Sequence, residues 1–197
     1  MMYRKMLMFC VLIILSIFTI TIANATIISL NDFYADPTVT VAPDGSSATM
    51  IEDPDLILVL LSNDPGLGKS SEPNVIVPGL GIYLVFHYNF VNGTIGGHEF
   101  GAFVIDSDTG LSGGPAFEFF TTSTDYGNVS FDLSSLADKT LGLQFQLSSP
   151  FEDADLDSTL TVSNVQLQPI PEPTTLLLLA TGLVGMAGYV RMRFKRK

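Results

Sequence analysis

Three aspartates hold the densest potential chemistry in this chain. Asp153, Asp155 and Asp157 alternate within Phe151-Glu152-Asp153-Ala154-Asp155-Leu156-Asp157-Ser158, and hard carboxylate oxygens at such spacing suit a calcium ion. The pattern is not an EF-hand, because Ser158 replaces the turn glycine and Asn164 stands where the closing glutamate belongs. Asp106-Ser107-Asp108-Thr109-Gly110 and Glu52-Asp53-Pro54-Asp55 are lesser versions. The competing reading is that these are solvated acidic loops that keep the domain soluble. Calcium is the only cofactor these residues leave open.

Catalytic patterns fail on context. Gly110-Leu111-Ser112-Gly113-Gly114 satisfies G-x-S-x-G. A nucleophile elbow, however, needs a strand-to-helix turn and a later histidine, and both His87 and His98 precede Ser112. His87 and His98-Glu99 lack a third histidine and HExxH spacing, so they read as ordinary strand and loop residues. The sequence therefore predicts no catalytic residue and no enzyme. Without tryptophan the best sugar-stacking side chain is missing, which leaves tyrosines such as Tyr34, Tyr83, Tyr88 and Tyr126.

The elements that must position these residues are strands. Leu141, Leu143, Phe145 and Leu147 alternate with Gly142, Gln144, Gln146 and Ser148, the signature of a strand with one buried face. Val129, Phe131 and Leu133 alternate in the same way, as do Leu80, Ile82, Leu84, Phe86, Tyr88 and Phe90. Near the end, Leu160 and Val162 fall on one parity and Val165 and Leu167 on the other, so a β-bulge around Ser163-Asn164 is expected. Turn signals at Pro43-Asp44-Gly45, Asn63-Asp64-Pro65-Gly66, Asn92-Gly93, Gly113-Gly114-Pro115 and Ser149-Pro150 punctuate roughly ten short strands. The expected fold is all-β: an antiparallel β-sandwich of jelly-roll type over residues 26–169, followed by a single C-terminal transmembrane helix.

Charge is distributed unevenly. Of nine Lys and Arg, only Lys69 and Lys139 lie in residues 26–170, against nineteen carboxylates, a net charge of −17 with no arginine. Nucleic acid is excluded as a partner, because phosphate binding needs clustered cations. The only cysteine, Cys10, lies in the first apolar run, so residues 26–169 contain no disulfide or thiolate metal site.

Both ends read as targeting segments. Arg4 and Lys5 precede an apolar run over residues 6–22, and Ala23-Asn24-Ala25 places Ala23 and Ala25 at the −3 and −1 positions of a cut before Thr26. That is the layout of a secretory signal peptide over residues 1–25; the competing reading is an uncleaved anchor. At the other end Pro171-Glu172-Pro173 precedes an uncharged stretch, residues 174–190, and then Arg191, Arg193, Lys195, Arg196 and Lys197. Seventeen residues as a helix reach about 25 Å, the short limit for a bilayer core. The basic stop-transfer cluster stays cytoplasmic by the positive-inside rule.

Residues 170–197, IPEPTTLLLLATGLVGMAGYVRMRFKRK, resemble the PEP-CTERM sorting tail: Pro-Glu-Pro, a short apolar span and a basic end. Lys195 and Lys197 among the arginines depart slightly from that pattern. The resemblance implies processing by an exosortase. It also implies an inner-membrane-anchored precursor that is delivered to the cell surface or extracellular matrix of a Gram-negative bacterium making exopolysaccharide. The segment from Thr140 through Leu167 further resembles the closing strands of carbohydrate-binding-like jelly rolls, with Asn164-Val165 in place of a commoner Asp-Asn-Val. The expectation is a non-enzymatic surface or matrix protein whose partners are the exosortase, the membrane and exopolysaccharide. The alternatives are a specific carbohydrate-binding module, calcium-dependent or not, and an exported hydrolase.

Overall fold

A computed structural model describes residues 25–64, 75–77, 81–94, 97–150 and 157–169. Ala23, Asp153, Asp155, Pro171, Glu172, Pro173, the 174–190 span and the basic cluster lie outside the described residues. Among the described residues no helix is long and apolar enough to cross a membrane.

Among the described residues thirteen strands follow one another: β1 (Thr26–Ile27), β2 (Tyr34–Ala35), β3 (Val39–Val41), β4 (Ser47–Ile51), β5 (Leu58–Ser62), β6 (Val75–Ile76), β7 (Ile82–Val91), β8 (Glu99–Asp106), β9 (Leu111–Ser112), β10 (Glu118–Thr121), β11 (Asp125–Asp132), β12 (Thr140–Ser148) and β13 (Thr159–Pro169). They form two antiparallel sheets. The first runs β11-β7-β13-β4-β3, with β1 also on β13; the second runs β10-β8-β12-β5-β2, with β6 on β12 and β9 on β8. The all-β antiparallel sandwich expected from the alternation is present. Several of its strands are only two residues long, too short to leave a periodic signal, so thirteen are found where about ten were expected.

The alternating apolar residues meet between the sheets. Leu84, Phe86, Tyr88 and Phe90 of β7 face Phe100, Ala102 and Val104 of β8 and Leu141, Leu143, Phe145 and Leu147 of β12, all buried. Phe86 lies edge-on to Phe145 at 5.1 Å and to Phe100 at 6.5 Å, and Phe33 stacks on Phe145. Such pairs add about 0.5–1.5 kcal/mol each beyond their buried area.

The parity change in β13 is resolved as expected. Its register on β7 shifts between Ser163 and Gln166, and Asn164 takes a left-handed conformation, φ 54°. Asparagine's short polar side chain tolerates that region better than most residues. The Asn164 N–H donates to the Ser46 carbonyl at 3.1 Å. Val162 and Val165 consequently both point inward.

Candidate functional site

Side chains of the wrong parity for the core form the outer face of the second sheet, and pairing register assembles them into rows. Glu118, Phe103, Gln144, Ser62 and Tyr34 stand in line across β10, β8, β12, β5 and β2. The next row is Phe120, Gly101, Gln146 and Leu60. Five strands at 4.7–4.9 Å give the longer row a reach of about 19 Å.

Contacts fix these side chains in place. The Phe103 and Phe120 rings meet edge to face at 5.1 Å, and Phe120 is 46% exposed. The Gln144 side-chain amide donates to the Gln146 carbonyl oxygen at 3.3 Å. Gly101 lies beneath: a Cβ there would come within 2.9 Å of Gln146 Cγ, Gln146 Nε2 and Phe103 Cε2. Only glycine lets Gln146 and Phe103 lie down onto the sheet, which produces a platform with apolar rings beside amides. At its β2 end the Tyr34 hydroxyl donates to Asp36 Oδ1 at 2.5 Å, and Asp36 Oδ2 accepts from the Leu60 N–H at 2.8 Å. At its β10 side the Ser112 hydroxyl donates to Glu118. Its anchored rings and neighbouring amides can cover the C–H face of a ring-shaped ligand and hydrogen-bond its rim.

A second constellation closes one end of the sandwich, hereafter the far pole. Glu52 directly follows β4 and His98 directly precedes β8. His98 Nε2 lies 2.6 Å from Glu52 Oε1, with both side chains fully buried. His98 Nδ1 is 2.9 Å from Asn92 Oδ1, while the Asn92 amide nitrogen donates to the Thr122 carbonyl and so fixes which way the amide points. An oxygen thus lies within hydrogen-bond distance of each ring nitrogen of His98. Glu52 also accepts from the Ser149 hydroxyl at 3.2 Å and the Ser158 N–H at 3.3 Å. The network thus joins the ends of β4, β7, β10 and β12 to the starts of β8 and β13. Here the structure corrects the sequence reading, in which His98 was an ordinary loop residue. The signal was faint, because Glu52 sat in a run of acidic residues that looked solvated.

Asp157, at the same pole, caps a turn. Its Oδ2 accepts from the Thr94 N–H at 3.0 Å and the Thr94 hydroxyl at 2.9 Å, and the neighbouring Ser158 hydroxyl accepts from the Gly93 N–H at 2.6 Å. The Thr94 N–H and hydroxyl hold the Asp157 carboxyl below its ordinary 3.8. Among the described residues no group of three metal-ligating side chains converges.

The remaining sequence candidates are dispersed. Ser112 is in β9 and bonds Glu118, with neither histidine among its partners. Asp106 pairs with Lys139, whose ammonium pulls the Asp106 carboxyl down. Tyr88 is a core residue donating to Asp125 at 2.9 Å, and burial, then Asp125, pushes its hydroxyl up. Tyr126 is 74% exposed on β11. Of the four tyrosines only Tyr34 reaches the platform. Phe103, Phe120, Gln144 and Gln146 were not singled out: alternation placed the glutamines outward, but which phenylalanines stood beside them depended on pairings far apart in sequence.

Among solved structures the chain resembles a CBM4 module at 12% identity, covering 78% of this chain and 93% of that one, TM-score 0.42. It also resembles CBM27-1 of Caldicellulosiruptor saccharolyticus, solved in complex with mannohexaose, at 13% identity over 73% and 96%, TM-score 0.42. A third is the C-terminal CBM6 of the laminarinase LamC from Zobellia galactanivorans, at 13% identity over 71% and 99%, TM-score 0.35. Similarity of this degree does not say what this chain binds. No curated protein matches the chain. Residues 169–193 match the PEP-CTERM protein-sorting motif, so the chain carries the tail that implies exosortase sorting of an exported, membrane-anchored precursor.

Proposed function

We propose that this is a non-enzymatic surface protein, sorted by an exosortase, whose sandwich holds neutral polysaccharide on the Phe103/Phe120/Gln144/Gln146 platform. The observation that carries the reading is the grouping of two edge-to-face rings, Phe103 and Phe120, with two amides joined by a hydrogen bond from Gln144 to Gln146, Phe103 and Gln146 lying over Gly101. A pyranose offers an apolar C–H face and a rim of hydroxyls, and the platform offers their complements within two adjacent cross-strand rows. Charge restricts the ligand: a domain at −17 repels anionic polymers, so the favoured partner is uncharged. The carboxylates bordering the platform are engaged by Tyr34, the Leu60 N–H and Ser112, in keeping with a binding rather than a hydrolytic face. On this reading the protein acts at the cell surface or in the exopolysaccharide matrix, which its sorting tail supports. Full-length protein in detergent, applied to an array of neutral and anionic glycans, is expected to retain neutral chains only. Retention of anionic chains alone, or of none, refutes the reading.

A further inference from the structure

Both membrane-directed ends of the chain leave the sandwich at one pole. β1 pairs antiparallel with β13, Thr26 opposite Leu167 and Ile27 opposite Gln166, and the Ile28 N–H donates to the Val165 carbonyl at 2.9 Å. Ala25 therefore leaves β1 beside the end of β13. β13 itself ends at Pro169, in register with Ile82 at the start of β7. The match to the sorting motif begins on that same residue. Only residues 170–173 lie between the sheet and the apolar stretch 174–190, and only residues 23–25 between β1 and the apolar stretch 6–22. Fully extended, these connections span at most about 14 Å and 11 Å.

We infer that the pole where Ala25 and Pro169 leave the sheet is a membrane-facing surface whose partner is the lipid headgroup layer, with the far pole turned away. This rests on the sorting tail entering the bilayer. The surface includes Gly81, Ile82 and the turn Ser134–Leu136, where the Leu133 N–H donates to the Ile82 carbonyl at 2.9 Å and the Gly81 N–H donates to the Ser134 hydroxyl at 3.3 Å, together with Asp132, Asp138, Lys139 and the turn after Asp106. The ten residues of β7, Ile82–Val91, separate it from the far pole by about 30 Å. Neither connection is long enough to let the domain turn over; before signal cleavage two adjacent exits hold it, and after cleavage the short connection to the tail does so alone. The expected signal cut, between Ala25 and Thr26, falls at the first residue of β1, so it takes place at this pole, on the strand paired with the one that leads into the sorting tail. The glycan platform, on a sheet face rather than a pole, stays open while the precursor is still anchored.

The test uses the full chain in lipid vesicles with Cys10→Ser and one new cysteine, either Ser135→Cys at this pole or Asp55→Cys in the β4–β5 connection of the far pole. Both positions are exposed. Each cysteine carries a fluorophore, and the bilayer carries a headgroup-attached nitroxide quencher. Quenching several-fold stronger at position 135 than at 55 is expected. Inserting about a dozen Gly/Ser residues at both junctions should abolish the difference by freeing the domain. If position 55 is quenched equally or more while protease digestion shows residues 174–190 protected, the assigned orientation is overturned and the sorting reading survives. If residues 174–190 are digested, the membrane reading of the tail fails, and the orientation fails with it.

Discussion

Replacing His98 with alanine removes the partner of a carboxylate that has no route to water. Glu52 keeps the Ser149 hydroxyl and the Ser158 N–H but loses the donor at 2.6 Å, and Asn92 Oδ1 loses its own. Breaking a buried ion pair from one side costs about 3–5 kcal/mol, because the remaining charge is left uncompensated. At this domain size that corresponds to a fall in melting temperature of roughly 10–15 °C. The cost should be conditional: His98→Leu with Glu52→Leu removes both polar groups together and should lose much less than either single variant. Thermal unfolding of wild type, His98→Leu, Glu52→Leu and the double leucine variant gives the coupling directly. A fall below about 1 kcal/mol for His98→Ala, or a double variant whose loss equals the sum of the singles, refutes the assignment of a buried, mutually dependent pair.

Three further outcomes follow. Gly101→Ala places a methyl group against Gln146 and Phe103, so it should lower glycan affinity about tenfold, or 1.4 kcal/mol, with melting little changed, as measured by affinity electrophoresis beside calorimetry. At Asn164, φ 54° disfavours a β-branched side chain, and Asn164→Val should cost about 1–3 kcal/mol in denaturant unfolding while Asn164→Gly is tolerated. Asp157 has a folded-state pKa below its ordinary value, so its stabilisation is present above about pH 4 and is lost as pH falls through the depressed value. Wild type should therefore melt above Asp157→Asn at neutral pH, with the gap closing in acid, and a gap independent of pH would contradict the Thr94 clasp.

Of the strands that carry the platform, β12 was legible because alternation is a local property, whereas β2, β5, β8 and β10 left no alternation that set them apart. Gln144 and Gln146 could be placed outward from their neighbours alone, and the bulge at Ser163-Asn164 followed from a parity conflict within ten residues. The platform's rings were not legible. Phe103 and Phe120 reach each other and the glutamines only through β8 pairing with both β10 and β12, and one-residue slips would send either ring to the core face. The Glu52–His98 pair was hidden for a similar reason: forty-six positions separate two residues whose types, taken singly, suggest solvent. The tail was legible because its recognition lies in composition and order rather than in packing, and its match at residues 169–193 needs no tertiary contact.

The central claim concerns what the platform holds, and affinity for a neutral glycan compared between wild type and the double variant Phe120→Ala with Gln144→Ala tests it most directly. Phe120 is exposed and Gln144 lies on the outer face, so folding should survive both changes. Loss of the stacking ring and of one amide should weaken binding by a hundredfold or more, about 2.7 kcal/mol, with the melting temperature held within a few degrees. Unchanged affinity in a folded double variant would place the ligand elsewhere and contradict the account.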